Sequence, residues 1–502
     1  MEDNQTRIIR YSTINFIGWV VSIGVTLLSI PFFISRISSD GYGVWVLISS
    51  LTGYFSLLQF GIGPAIIKYV SQYKFQNDPT SIRDTINAAL LFSLFVGIIG
   101  GIAIYVLSPF FASIFHLPDR LYEQSLTSFR IGALFYPAFL VSNVYVSVFI
   151  GYQQYVISNV LNTIQIALTT LIGSLFLAFD YGIVGLVAAS AIVDIVCILL
   201  GQYLLHRMID QYELRPSGAF SALKTIFGYS MYTFISQMAQ ILNARLPEII
   251  IGITLGPSAV TLFNIPARLV GYFSSGASSM SAVLFPFASE LQASADIERI
   301  KRAFLKATRH FTFLIVPFYF FVIVYSRPIL GLWLSSEIAE KGYQLMTLYA
   351  LAYLIANMTT IPSQFLQGFG KVKLISRFSV GVLMVSILAY YPLTRQLGIL
   401  GSGIAMLMTQ AFGLLFIHYS LRVLVISLPE YISANARPFL FGFLALLLSI
   451  LFGYLIREVN SSHLLSFLLA FVVFSGFYYL LCMSFSEIGG TARKFYFSLV
   501  RR

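Results

Sequence analysis

A permanently charged side chain lies in the middle of an apolar segment. Arg268 is surrounded by a run from Phe263 to Val270 that is otherwise apolar apart from Asn264. An arginine at the centre of a membrane helix costs roughly 2.5–3.5 kcal/mol on insertion scales, so it is expected to face protein or a watery cavity. Polar and small residues recur here at helical spacing: Asn264, Arg268, Gly271, Ser275 and Ser278. We predict that this stripe lines a route for an anionic substrate.

A second two-faced helix is predicted just before it, around residues 236–250. Its polar residues fall on one half of the helix and its apolar residues on the other. The polar half comprises Ser236, Gln237, Gln240, Asn243, Arg245 and Glu248. Arg245 and Glu248 are three residues apart and can pair on one helix face. Two interpretations stay open: the pair neutralises itself for insertion, or Glu248 releases Arg245 when substrate or a cation arrives.

Other residues are candidates for coupling and for bending. Asp194 is an acid within an apolar segment, and it predicts either a cation or proton site or a capped buried polar group; Glu248 is the other coupling candidate. Pro31 and Pro247 lie at nearly equivalent points of the predicted helices 1 and 7. Each proline removes a backbone hydrogen bond and permits a bend, so both are predicted hinges.

Motifs for catalysis or for a bound cofactor are not found. The run 368–371 lacks the upstream glycine of a phosphate-binding loop and is followed by Val372. The five histidines are scattered without zinc spacing. Cys197 and Cys482 lie in apolar runs, which favours small buried hydrophobes over a disulfide or a metal site. We therefore predict no catalytic residue, no metal and no cofactor, and a protein that is not an enzyme.

The composition requires that these residues be positioned by membrane helices. The chain has 502 residues, of which 58% are hydrophobic and 10% are charged, and its mean hydropathy is +0.83. A soluble chain would carry about 25% charged residues, so a soluble globular protein is excluded. At about 20 residues per crossing, the apolar segments predict about fourteen transmembrane helices. The first segment is long for a signal peptide and is expected to be a retained helix.

The two halves of the chain resemble each other at an offset of 218 residues (229 minus 11). Tyr11-Ser12 matches Tyr229-Ser230, and Tyr54-Phe55 matches Tyr272-Phe273. Repeats of about six helices share one orientation, so the lobes should be related by a pseudo-two-fold axis along the membrane normal, with the substrate site between them. We predict an all-α integral membrane protein with an N-terminal lobe (1–210), a cytoplasmic linker (211–224), a C-terminal lobe (225–426), and helices 13 and 14 with a basic tail (427–502).

The formal net charge of +11 has a topological explanation. Most of the 31 Lys and Arg residues fall on the predicted side that also holds both termini. By the positive-inside rule this side is cytoplasmic. The basic charge therefore gives no reason to expect a nucleic-acid partner. Attraction of the basic residues to anionic lipid is expected to aid the same topology.

Several segments resemble the bacterial polysaccharide transporter family, the O-antigen-type flippases of the multidrug/oligosaccharidyl-lipid/polysaccharide exporter superfamily. The resemblance is carried by residues 31–36, 41–45, 58–63, 284–291 and 329–334, and it extends over essentially the whole length. It implies two six-helix lobes, two extra C-terminal helices, and a cavity lined by helices 1, 2, 7 and 8. Independently, the polar stripes select the same helices, including Ser49, Thr52, Ser56, Gln59 and Gly63 on helix 2.

The resemblance also implies a function. An undecaprenyl-diphosphate-linked oligosaccharide would move from the cytoplasmic to the outer leaflet of the bacterial cytoplasmic membrane. Cationic cavity residues in the family meet the diphosphate, and here Arg268 and Arg245 fit, with Arg36 as an outer-end contact. The predicted cavity residues are Arg268, Arg245, Glu248, Asn264, Gln240, Asn243 and Arg36. The expected partners are the lipid-linked substrate, membrane lipids, and polysaccharide polymerase and chain-length proteins.

Two rival functions stay open. A cation-coupled multidrug exporter of the same superfamily would favour an acidic, aromatic cavity, and two cavity arginines argue against it. A membrane oligosaccharide polymerase would need a sizeable external loop with catalytic groups, whereas the predicted external loops are short.

Overall fold

The computed structural model describes residues 4–208, 219–281, 284–293, 296–459 and 463–485, and these residues are nearly all helical. The fold class predicted from composition is confirmed in this respect. Eleven helices of the described residues are long and apolar enough to cross a membrane. The linker predicted at 211–224 falls largely outside the described residues, and the predicted domain boundaries stay predictions.

The chain divides into two compact units, Met1–Asn264 and Ile265–Arg502. The first unit contains seven helices, a 3-10 turn at Ser56–Gln59 and the start of an eighth helix. The helices are α1 (Asn4–Phe55), α2 (Ile62–Phe75), α3 (Pro79–Ile114), α4 (Asp119–Gly151), α5 (Tyr155–Ala178), α6 (Gly182–Met208), α7 (Ala219–Leu255) and α8 (Pro257–Ser281), of which α8 continues into the second unit.

The second unit holds the rest of α8 and eight further helices. They are α9 (Leu284–Ala293), α10 (Ile297–Trp333), α11 (Ser336–Met358), α12 (Thr360–Gly368), α13 (Val372–Ala411), α14 (Gly413–Val423), α15 (Leu428–Val459) and α16 (His463–Phe485). α10 packs on α11 and α15, and α15 packs on α16. Aromatic residues such as Phe313, Phe441 and Phe474 form a buried cluster where α10, α15 and α16 meet.

α1 is interrupted by a kink within the first unit. Ser38 has φ 63 and ψ 172, which is not helical, so α1 consists of two helical arms. Pro31 lies inside the first arm, and Pro247 lies buried inside α7. The break in the α1 helix therefore lies seven residues beyond Pro31. The hinge function of the two prolines stays a prediction. α1 packs on α5, α6 and α7, while α7 also packs on α2 and α3.

Close packing joins the second arm of α1 to the start of α8. A Cβ atom at Gly43 would overlap the carbonyl oxygen of Pro257, the first residue of α8. Nearby, the Thr261 hydroxyl donates to the Ser39 carbonyl oxygen at 2.6 Å. The backbones can approach this closely only because position 43 has no side chain, as is common where membrane helices touch.

We expect Gly43→Ala to destabilise the protein by about 1–3 kcal/mol, because the added methyl group forces two backbones apart. Thermal unfolding of the purified protein in detergent measures this effect. Gly24→Ala is the matched control, since Gly24 lies in the same helix and a Cβ there has nothing within 4 Å. Equal melting temperatures for both variants would contradict the packing described.

Candidate functional site

Glu248 is the centre of the polar cluster in the first unit. Its side chain is 7% exposed and lies in the C-terminal half of α7. The Asn264 side-chain amide donates to Oε1 at 2.5 Å, and the Ser50 hydroxyl donates to Oε2. An Arg245 guanidinium nitrogen lies 3.5 Å from Oε2. A buried carboxylate must be paired and hydrogen-bonded, and this one has partners from α1, α7 and α8.

The hydrogen bonding extends beyond Glu248. The Tyr42 hydroxyl donates to Asn264 Oδ1 at 3.5 Å, and both side chains are buried. Asn264 therefore accepts with its oxygen and donates with its nitrogen, which determines the orientation of the amide. The result is a buried polar network of Tyr42, Asn264, Glu248 and Ser50 in a region of apolar helices.

Arg245 is the accessible member of the ion pair. Its side chain is 37% exposed, against 7% for Glu248. A Cβ atom at Gly53 would lie 3.2 Å from Arg245 Nε, so the glycine leaves room for the guanidinium group. The predicted pairing of Arg245 with Glu248 is confirmed. The arginine is the more exposed residue of the pair, and the glutamate is buried.

The other predicted cavity residues of α7 and α8 have different surroundings. Gln240 is exposed and Asn243 is half-buried. Arg268 is half-buried and belongs to the second unit. One turn further, a Cβ at Gly271 would lie 3.0 Å from the Tyr353 hydroxyl, and Ser274 accepts from the Asn357 amide at 2.9 Å. This part of α8 therefore contacts α11, and Gly271 of the predicted polar stripe lies close to Tyr353.

Arg36 lies near the bend in α1, well before Ser50, the residue of the same helix that contacts Glu248. Its guanidinium group is 3.9 Å from Asp180 and stacks over the Phe32 ring. Beyond the bend, Asp40 accepts from Arg120 at 2.5 Å and from the Ser258 hydroxyl. Arg36 is thus among charged residues at one end of the helices, and its place at the outer end of a cavity stays a prediction.

Asp194 lies in a separate buried cluster. The Gln165 amide donates to Asp194 Oδ1 at 2.8 Å, and the Ser142 hydroxyl lies 3.5 Å from the same oxygen. These donors come from α5 and α4, so the carboxyl group joins three helices of the first unit. The Asp194 carboxyl group is therefore satisfied by hydrogen bonds. Its function in coupling stays a prediction. Within the described residues, no group of three or more His, Cys, Asp or Glu is arranged to hold a metal ion.

Ser50 and Tyr42 are the two members of the network that sequence reasoning missed. The predicted stripe on helix 2 began at Ser49, but the Ser49 hydroxyl donates to the Trp45 carbonyl oxygen at 3.0 Å within its own helix. The adjacent Ser50 reaches Glu248 instead. The pair Ser49-Ser50 is a signal in the sequence, but one residue rotates the helix face by about 100°, so the choice needs the structure.

Comparisons with known proteins agree with this architecture. Residues 34–341 match the family described as "Polysaccharide biosynthesis protein". A Shigella flexneri protein named as an O-antigen transporter is 18% identical over 403 residues, which cover 79% of this chain and 94% of that protein. A Haloferax volcanii protein named as the flippase AglR is 21% identical over 449 residues, covering 88% and 87%.

Solved structures share the fold. An inward-facing multidrug resistance MATE family transporter of the MOP superfamily superposes with a TM-score of 0.69 at 13% identity, over 82% of this chain and 98% of its own. The lipid II flippase MurJ in an inward closed conformation gives a TM-score of 0.69 at 15% identity, over 94% and 99%. The resemblance inferred from the sequence is confirmed, and these structural likenesses concern the fold.

We expect Glu248→Ala to lower the free energy of unfolding by about 2–3 kcal/mol, since two buried donors and Arg245 lose their acceptor. Thermal unfolding in detergent measures the change. Gln240→Ala, at an exposed position of the same helix, is the control and should melt like the parent protein. A Glu248→Ala protein as stable as the parent would show that the network contributes nothing to stability.

Proposed function

Because this chain belongs to the family of polysaccharide biosynthesis proteins, we propose that it is a flippase for a lipid-linked oligosaccharide. It moves an undecaprenyl-diphosphate-linked oligosaccharide from the cytoplasmic to the outer leaflet by alternating access. The observation that carries the proposal is the half-exposed Arg245 next to the buried Glu248. Named transporters and flippases among the relatives support transport rather than enzymatic chemistry.

The proposed architecture has fourteen transmembrane helices. Eleven apolar helices among the described residues are long enough to span a membrane. Three more follow when α1 is divided at Ser38, α13 is divided at Gly398, where φ is 62 and ψ is −145, and α8 with its 25 residues is included. α15 and α16 then correspond to helices 13 and 14. The internal repeat supports two six-helix lobes, with both termini on the cytoplasmic side of the bacterial cytoplasmic membrane.

In the proposed mechanism, Arg245 exchanges its carboxylate partner for a phosphate of the substrate. Glu248 already accepts from Ser50 and Asn264, so it keeps hydrogen bonds when the guanidinium group turns away. The 3.5 Å separation from Arg245 is longer than a close charge-assisted hydrogen bond of about 2.7–2.9 Å. A diphosphate offers more oxygens to an arginine than this single distant contact. Glu248 thus holds Arg245 in place until substrate arrives.

Arg268 is proposed as the second diphosphate ligand. Arg268 is half-buried in an apolar helix, where a cationic side chain is expected to face protein or a watery cavity. Asn264, Gln240 and Asn243 would offer hydrogen bonds to sugar hydroxyls, and Arg36 an outer-end contact. Net negative charge in the loaded state gives direction, because a potential negative inside favours its outward movement by about 2.3 kcal/mol per charge per 100 mV.

Drug export is the second candidate function, since a MATE family transporter shares the fold. The polarity of the site argues against it. The exposed member of the ion pair is an arginine and the acid is buried, which suits an anionic substrate better than a cationic drug. Drug-susceptibility testing of a deletion strain separates the two functions. Polymerase and chain-length proteins remain proposed partners.

Arg268→Ala should lower glycan export at least about tenfold, because a charge-assisted phosphate contact of about 1.5–3 kcal/mol is lost. Arg268→Lys should be partly active, since lysine keeps the charge but not the bidentate geometry. Leaflet-resolved detection of the lipid-linked sugar in a complemented deletion strain measures export, with membrane protein levels determined in parallel. Arg395→Ala, at an exposed position, is the control. Normal export by Arg268→Ala would rule out this assignment.

Asp194 is the proposed coupling group, and Asp194→Asn tests it. The amide can still accept from Gln165, so the variant should fold, but it can no longer gain or lose a proton or bind a cation by charge. Flipping in proteoliposomes should then stop responding to an imposed proton or sodium gradient. Gln165→Ala is the control, because it removes the cap and keeps the carboxyl group. A response of Asp194→Asn equal to that of the parent would restrict Asp194 to a structural function.

A further inference from the structure

A cationic groove lies between α10 and α15 in the second unit. Its volume is about 760 Å³. It is lined by apolar and small residues such as Leu305 and Ser433. Four basic residues also line it: Arg302, Lys306, Arg309 and Arg437. The proposed flippase function makes no use of these residues.

The two helices run in the same direction, so the groove lies at one end of both. Lys301 pairs with Glu430 at 2.5 Å. Further along, the Thr312 hydroxyl donates to Asn435 at 2.6 Å, and Tyr325 lies 2.8 Å from Ser449. Contacts therefore advance together along α10 and α15, and the groove is formed by their N-terminal turns.

Glu430 lines the groove, but its ion-pair partner lies outside the lining. Lys301 is its ion-pair partner. The Ser427 backbone N–H and hydroxyl also donate to it, at 2.9 and 2.8 Å. The positive charges of Arg302, Lys306 and Arg437 on two facing helices repel one another at short range, and an anion with several acceptor oxygens relieves that repulsion. Phosphate is such an anion, and both arginine and lysine bind it well.

An apolar stripe continues from the groove along α15. Ser433 and Arg437 are followed on the same helix face, at spacings of three and four residues, by leucines that remain exposed. They are Leu440 (54% exposed), Leu444 (40%), Leu447 (48%) and Leu451 (57%). In a helix long and apolar enough to span a membrane, such a stripe faces acyl chains. A ligand that fills both features carries a phosphate at one end and hydrocarbon at the other.

We infer that this groove binds an anionic phospholipid, with the phosphate among Arg302, Lys306, Arg309 and Arg437 and an acyl chain on the leucine stripe of α15. Basic pockets between membrane helices on the cytoplasmic side bind lipid headgroups in this way, and the charge distribution puts this end of α10 and α15 on that side. A free phosphate would use the groove alone. The continuity of groove and stripe selects the lipid.

Native mass spectrometry of the full-length protein tests the inference. The protein is exchanged into detergent containing either phosphatidylglycerol or phosphatidylcholine, and retained lipid is counted. We expect the parent protein to retain phosphatidylglycerol at least about tenfold more than phosphatidylcholine. The triple variant Arg302→Gln, Lys306→Gln, Arg437→Gln should lose this preference. Inorganic phosphate at millimolar concentration should not displace the lipid.

Two controls make the result specific. The triple variant Lys371→Gln, Lys373→Gln, Arg377→Gln removes the same charge from exposed positions outside the groove and should keep the preference. The double variant Arg302→Lys, Arg437→Lys keeps the charge of the groove and should also bind. It provides a folded comparison if the first triple variant does not melt cooperatively. Unchanged binding by the groove variant, equal loss in the charge-matched control, or displacement by phosphate alone would overturn the inference.

Discussion

The structure of the first unit depends on one buried carboxylate. Glu248 lies in an apolar helix, where an unpaired charge is not tolerated. Its two oxygens are therefore surrounded by donors from three helices: Ser50 on α1, Arg245 on α7 and Asn264 on α8. Tyr42 orients the Asn264 amide, and Gly53 leaves space for the arginine. The requirement to satisfy one acid thus determines which faces of α1, α7 and α8 meet.

This arrangement bears on the two interpretations of the charged pair, self-neutralisation for insertion or availability of Arg245 to a substrate. If Arg245 and Glu248 only neutralised each other, both would be expected at similar depth in the protein. Instead, the acid is buried and held by neutral donors, while the base is more than one-third exposed. The neutral donors keep the carboxylate hydrogen-bonded when the arginine turns toward an anionic substrate. This asymmetry favours the interpretation in which Arg245 is available to an anionic substrate, and it supports the proposed function.

Much of the architecture was predictable because the bilayer imposes simple rules on sequence. Long apolar segments predicted membrane helices, and the spacing of Arg245 and Glu248 predicted their pairing. The partners across helices were not predictable in the same way. Ser49 and Ser50 are both plausible from sequence, and only the rotation of α1 beyond Ser38 decides between them. The same applies to Gly271, which continues the polar stripe of α8 in sequence but packs against Tyr353.

Charge in the second unit needs an explanation beyond topology. The positive-inside rule explains how many lysines and arginines lie on one side of the membrane, but it acts on loops and helix ends regardless of their mutual positions. It does not require Arg302, Lys306 and Arg309 to share one face of α10, nor that face to lie against the turn of α15 that carries Arg437. Like charges placed together cost free energy unless an anion lies between them. Since hydrocarbon-facing leucines begin at the next turn of α15, the molecule that meets both conditions is an anionic lipid.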